Sequence, residues 1–181
     1  MINGSNNAFI VPAIALATVV LFYFLLLKKN NNPVALKRVT RFILALAFVL
    51  NFLWEMVQMP LFKNMSLNWK TTLFCAGASI ADCIMILLLY FGFGLMYKDS
   101  LWFRRPVFLR VVLLVIVGGL GAVLAEKKNL YLGNWAYSSY MPLAPVIDVG
   151  LSPLLQFMIL PAIIYHVASD MVGSIVNDIR I

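Results

Sequence analysis

Charge, histidine and cysteine are all scarce in this chain. Only 12% of its 181 residues are charged, about half the share of an ordinary soluble domain. A water-exposed globular surface is therefore excluded. One histidine and two cysteines leave a zinc site short of ligands. Cys75 and Cys83 would stand about 12 Å apart along one helix, too far for a disulfide, and read as buried thiols. Met56 and Met59 are two of nine methionines in an apolar chain and read as packing rather than copper ligands. His166 reads as a packed or interfacial residue. No glycine-rich phosphate loop, serine elbow or His-Glu-x-x-His motif occurs, so catalysis of those kinds has no sequence support. No cofactor and no metal are expected. A hard-cation site built from Glu55, Asp82, Glu126 and Asp148 stands as an alternative.

Apolar residues are abundant, at 63%. They fall into continuous runs over about 9–27, 42–62, 71–97, 107–125 and 153–172, each near the ~20 residues that cross a hydrocarbon core. Continuous runs indicate helices; a membrane barrel would alternate in shorter segments. The expected fold is all-α: a single polytopic membrane domain, a bundle of five transmembrane helices with a structured outer loop.

The net charge of +7 raises the question of nucleic acid, but its placement answers it. Lys28, Lys29, Lys37, Arg38 and Arg41 fill the first loop, and Lys98, Arg104, Arg105 and Arg110 the third. With Arg180, ten basic residues lie on one side; Lys63, Lys70, Lys127 and Lys128 lie on the other. This is the positive-inside pattern. It predicts an integral membrane protein, of a bacterial inner membrane, with the N-terminus outside, the C-terminus cytoplasmic, and no nucleic-acid partner. The first apolar run lacks a basic leader and precedes Lys28-Lys29, so it reads as a retained anchor.

Proline punctuates the chain. Pro33, with Asn30–Asn32 before it, is expected to break the first loop, Pro60 to close the second helix, and Arg104-Arg105-Pro106 to mark the start of the fourth. Ser152-Pro153 reads as the cap and first turn of the fifth. Gly118, Gly119, Gly121 and Ala122 form a small-residue face, as do Gly77 and Ala81. Such faces permit close helix packing and could support a homo-oligomer. The loop from 126 to 152 is long and almost uncharged, and carries Tyr131, Trp135, Tyr137 and Tyr140 among Pro142, Pro145 and Gly150. A disordered linker would be poor in aromatics. It is expected either to fold over the outer mouth of the bundle or to form an aromatic belt at headgroup level.

Two acids stand inside the apolar runs. A carboxylate at the middle of a membrane helix costs roughly 2.5–3.5 kcal/mol on insertion scales, so it usually has a function. Glu55 shares a helical face with Asn51 and Gln58, at i, i+4 and i+7, about 10 Å below the outer boundary at ~1.5 Å per residue. Asp82 lies near the midplane of the next span with Ser79 one turn above. Glu126 is expected to cap the outer end of the fourth helix, and Gln156 enters the fifth about one turn down. These groups all occupy the outer half of the bundle, which implies a pocket beneath the aromatic loop. Desolvation favours the neutral acid, suited to protonating an olefin or epoxide, or to proton-coupled transport. The plainer role is an interhelical hydrogen bond from either acid to an amide such as Asn51 or Gln156.

Two local resemblances start from these residues. Asn51-Phe-Leu-Trp54-Glu55 resembles the Asn-x-x-Trp-Glu segment of the small integral-membrane terpene cyclases of fungal meroterpenoid pathways. In that family a membrane-embedded glutamate is implicated in protonating an epoxide-bearing prenyl chain, which makes Glu55 the acid by resemblance. Glu126, Gly133-Asn-Trp135-Ala-Tyr137, Pro145, Gly150 and Pro153-Leu-Leu-Gln156 are similar in cadence to carotenoid proteins with a lycopene-cyclase domain. There a Trp-x-Tyr loop leads to a Pro-x-Glu-Glu helix start. This chain has Leu155 and Gln156 in place of the two glutamates, so the carboxylates of that reaction are missing here.

The expected function is a small membrane enzyme acting on an isoprenoid or lipid-like substrate by acid catalysis. Glu55 is the expected proton donor and Asp82 the carbocation stabiliser or second acid. Asn51, Trp54, Gln58, Ser79, Glu126, Trp135, Tyr137 and Gln156 are the expected substrate-binding residues. The rings of Trp54, Trp135 and Tyr137 are suited to stabilising cationic charge. The alternatives are a proton- or cation-coupled transporter or solute-binding subunit, and a structural subunit of a membrane complex.

Overall fold

The computed structural model describes residues 10–30, 32–104 and 107–178, with side chains described from residue 11 to residue 171. Phe9, Arg105, Pro106 and Arg180, used in the sequence reading, lie outside the described residues. The chain is an all-α integral membrane protein. Its helices are α1 (Ile10–Lys29), α2 (Pro33–Gln58), α3 (Trp69–Met96), α4 (Phe108–Tyr131) and α5 (Leu151–Asp178). All five are long and apolar enough to cross a bilayer. A two-stranded hairpin, β1 (Leu143–Ala144) and β2 (Val149–Gly150), interrupts the last loop.

Three boundaries differ from the expected ones, each for a local reason. The α2 helix starts at Pro33, well before residue 42. Asn32 caps it, its Oδ1 accepting the Ala35 N–H at 3.0 Å, and proline is at ease in a first helical turn. Lys37, Arg38 and Arg41 therefore belong to the opening turns of a helix rather than to a loop. Pro60 sits in a 3-10 turn, Met59–Leu61, that finishes the span. The α4 helix runs on to Tyr131, so Glu126 is a buried residue inside it and not a cap. The α5 helix starts at Leu151, and Ser152 does not serve as its cap. Its hydroxyl donates instead to Gln58 Oε1 at 2.8 Å.

The helices pack in the order α1, α3, α2, α5, α4, so α1 sits at the edge and the other four surround the polar residues. Loops on opposite ends tie the bundle together. At the basic end, Asn30 Nδ2 donates to Ser100 Oγ at 2.7 Å. At the other end, the stretch after α2 pairs with the stretch after α4: the Lys63 N–H donates to the Ala136 carbonyl (2.8 Å) and the Ser138 N–H to the Leu61 carbonyl (2.9 Å).

An aromatic knot locks the basic end. Trp102 Nε1 donates to the Tyr90 carbonyl at 3.1 Å, and Tyr165 Oη to the Ile86 carbonyl at 2.6 Å. Arg110 donates to the Trp102 carbonyl at 2.8 Å and lies 4.4 Å over the Tyr97 ring.

The α4–α5 seam follows from one proline. Pro161 lies inside α5 and has no N–H to offer the Phe157 carbonyl one turn back. That oxygen faces Gly118 of α4 so closely that a methyl group on Gly118 would run into it. Close backbone approach of this kind admits weak Cα–H···O contacts. Gly119 meets Met158, and Gly121 meets the Met85 side chain of α3. The glycine face of α4 is thus spent within the chain. Gly77, where an added methyl would meet nothing within 4 Å, and Ala81 keep an outward face on α3.

Candidate functional site

Helical spacing places Asn51, Glu55 and Gln58 on the inner face of α2, and α5 answers them with Ser152 and Gln156, one turn apart. Gln156 is the hub. It is 1% exposed, and its Nε2 lies 2.9 Å from Asn51 Oδ1, 3.0 Å from Asp82 Oδ2 and 3.3 Å from Glu55 Oε1. Its Oε1 accepts from Gln58 Nε2 at 3.1 Å, and Gln58 Nε2 also reaches Glu55 Oε1 at 2.8 Å. Asn51 is anchored by its own amide, which donates to the Ala47 carbonyl at 2.8 Å. One amide on α5 therefore gathers acids from α2 and α3.

The two acids meet at the Gln156 amide nitrogen, which lies within hydrogen-bond reach of one oxygen of each. A carboxylate only accepts, so both oxygens draw on the same donor. As residues Glu55 and Asp82 are half-buried, whereas Asn51, Gln58 and Gln156 are fully buried.

A second cluster covers the end opposite the basic one. Glu126 Oε2 accepts from Trp135 Nε1 at 3.2 Å and from the Tyr137 hydroxyl. The Tyr137 oxygen in turn accepts the Gly150 N–H at 2.9 Å. Phe62 packs on both rings, with centroids 6.4 Å from Trp135 and 5.7 Å from Tyr137. Burial, with the Glu126 hydrogen bond second, pushes the Tyr137 phenol well above its ordinary range. Gly150 and Ser152 are neighbours, so the two clusters meet at the head of α5.

The loop's aromatics divide between the two expected roles. Trp135 and Tyr137 turn inward onto Glu126, while Tyr131 and Tyr140 are 90% and 80% exposed, as belt residues would be. The hairpin beyond them carries Val146 and Asp148 in the left-handed region, at φ 74° and 50°.

Not every sequence candidate joins the site. Ser79 is buried, but its hydroxyl donates to the Cys75 carbonyl of its own helix at 2.7 Å. Trp54 packs against the apolar core, and its Nε1 has no hydrogen-bond partner. His166 is exposed on α5. Among the described residues no group of three His, Cys, Asp or Glu side chains could hold a metal ion. Asp148 sits in the hairpin turn, apart from the other acids. Sequence reading missed Ser152 and Gly150 as partners of the site. The spacing of Ser152 and Gln156, four apart on one helix, was the available signal.

No protein family model, no curated protein and no solved structure matches this chain.

Proposed function

We propose that this protein is a small integral membrane enzyme that isomerises an isoprenoid or similar apolar lipid by intramembrane acid catalysis. The observation that carries the reading is the convergence of Glu55 and Asp82 on the Gln156 amide, next to the aromatic cluster at the head of α5. Glu55 gives its proton to an olefinic carbon or an epoxide oxygen of the substrate. The cation so formed is closed by an internal double bond, and a neighbouring carbon returns a proton to the acid pair. The net change is isomerisation, and no co-reactant is required. Asp82, as a carboxylate, stabilises the cation, and the Trp135 and Tyr137 faces favour positive charge nearby. Asn51, Gln58 and Gln156 hold the acids in place. The chain sits in a bacterial inner membrane with the basic end cytoplasmic and the N-terminus outside, which the gathering of lysine and arginine at one end supports.

The test is incubation of membranes containing the protein with unsaturated and epoxidised prenyl chains in D2O. The expected product is an isomer that keeps carbon-bound deuterium when an olefin is protonated, and loses label to exchange when an epoxide is opened. Glu55→Gln abolishes it. A wild-type protein that converts none of these chains, and carries no copurifying lipid, defeats the reading.

A second reading rests on the unbroken polar chain from Asp82 through Gln156 and Gln58 to Ser152, which is suited to passing a proton toward the outer end. A proton- or cation-coupled transporter would then lose pH-dependent flux on Asp82→Asn, with no isomer formed by the parent protein.

A further inference from the structure

At the basic end of the bundle, far from the acid pair, the ends of α1 and α3 enclose a groove of about 520 Å³. We infer that it binds the phosphate of an anionic membrane lipid. Its walls change character along their length. Leu26 and Leu95 line it on the membrane side, and Lys29, Asn30, Lys98 and Ser100 on the water side. An acyl-glycerol body beside leucine and a phosphate beside lysine match that gradient, and basic grooves at this depth are suited to anionic headgroups.

Two details go beyond mere lysine content. Lys98 is left-handed, at φ 54°. It ends α3 in a Schellman turn: its N–H donates to the Leu95 carbonyl (3.2 Å) and the Asp99 N–H to the Gly94 carbonyl (3.0 Å). Glycine is the usual occupant of that position, so a lysine held there points to use of its side chain. Ser100 Oγ, in turn, accepts from Asn30 Nδ2, and its own proton has no acceptor among the described residues. It is an open donor at the groove's rim.

The one acid present, Asp99, has its Oδ1 committed to the Leu101 N–H at 2.8 Å, and the two lysines leave the groove positive. Lysines at helix C-termini also complement the helix dipole. That role alone would be met without a lysine in the strained position, and it leaves the Ser100 donor unexplained.

The experiment is calorimetric titration of the purified full-length protein in neutral detergent with dihexanoyl phosphatidylglycerol, dihexanoyl phosphatidylcholine and inorganic phosphate. Saturable one-to-one binding of the glycerol lipid is expected, with the choline lipid and free phosphate much weaker. Lys98→Gly relieves the left-handed strain and raises thermal stability, yet weakens binding about fivefold, as does Lys29→Gln. Lys28→Gln, outside the groove, leaves affinity unchanged. Equal affinity for the two lipids, or affinity unmoved by both groove variants, overturns the proposal. Free phosphate binding as tightly as the lipid overturns the assignment to a lipid.

Discussion

Gln156 donates to Asp82 Oδ2 over 3.0 Å, joining a carboxyl near the middle of α3 to an amide on the first turns of α5. The same nitrogen lies within reach of Glu55 and Asn51, yet an amide has only two hydrogens. Its two hydrogens are therefore shared among three acceptors, which ties both acids and Asn51 to one donor.

Gln156→Leu removes this hub and leaves buried acceptors without donors. At about 1–3 kcal/mol for each unsatisfied group, a loss of about 2–4 kcal/mol is expected. Equilibrium unfolding in mixed detergent would measure it. Stability unchanged within error would mean the hub is not the organiser of the site.

Glu55→Gln keeps the side-chain shape and can still bond Gln58 and Gln156 after an amide flip. Stability should stay within about 1 kcal/mol of the parent, because hydrogen bonds inside membranes average well below that, while isomer formation disappears. Activity surviving in this variant would move the proton donor to Asp82.

Tyr137→Phe strips a hydrogen-bond partner from both Glu126 and the Gly150 N–H. Faster amide exchange at Gly150 and the adjoining hairpin is expected, with a cost of about 1–2 kcal/mol. The pH dependence follows from the raised phenol. The folded protein resists losing this proton, so the latch holds in full below the ordinary tyrosine value of 10.0. Above it the unfolded chain gains by deprotonating, and the latch's contribution declines until the folded phenol itself ionises. Exchange at Gly150, corrected for intrinsic base catalysis, should therefore rise only above that pH.

Glycine substitutions should separate by position. Gly118→Ala drives a methyl into a backbone oxygen, which cannot step aside, and should cost about 1–3 kcal/mol. Gly121→Ala meets only the end of the flexible Met85 and should cost less. Gly77→Ala meets nothing and should be neutral or gain up to ~1 kcal/mol from helix propensity. Thermal melts of the three variants would rank them, and a reversed order would displace the Phe157 carbonyl from the seam.

The spans and the inner face of α2 were legible because both are written in local periodicity: uninterrupted apolar runs, and Asn51, Glu55 and Gln58 at helical spacing. The start of α2 was legible too, in the Asn32-Pro33 pair, but a proline after three asparagines reads more readily as a break. Glu126 follows directly on the apolar run 107–125 and so reads as a helix cap, whereas the helix continues to Tyr131. Burial at Glu126 depends on Trp135 and Tyr137 folding back, and the Leu61–Lys63 pairing with Ala136–Ser138 depends on two loops meeting. Neither leaves any periodic trace in a single chain. Trp54 and Ser79 carried the right chemistry in the right span, but rotation about the helix axis turned them to other neighbours.

The head of α5 has a consequence for how such a centre would work. The Gly150 nitrogen just before it hangs from the aromatic cover, while the hydroxyl at Ser152 holds the amide that steadies Glu55. A displaced cover would therefore tug on the very scaffold that aligns the acids. If the proposed function holds, opening the cover and aligning Glu55 would oppose one another.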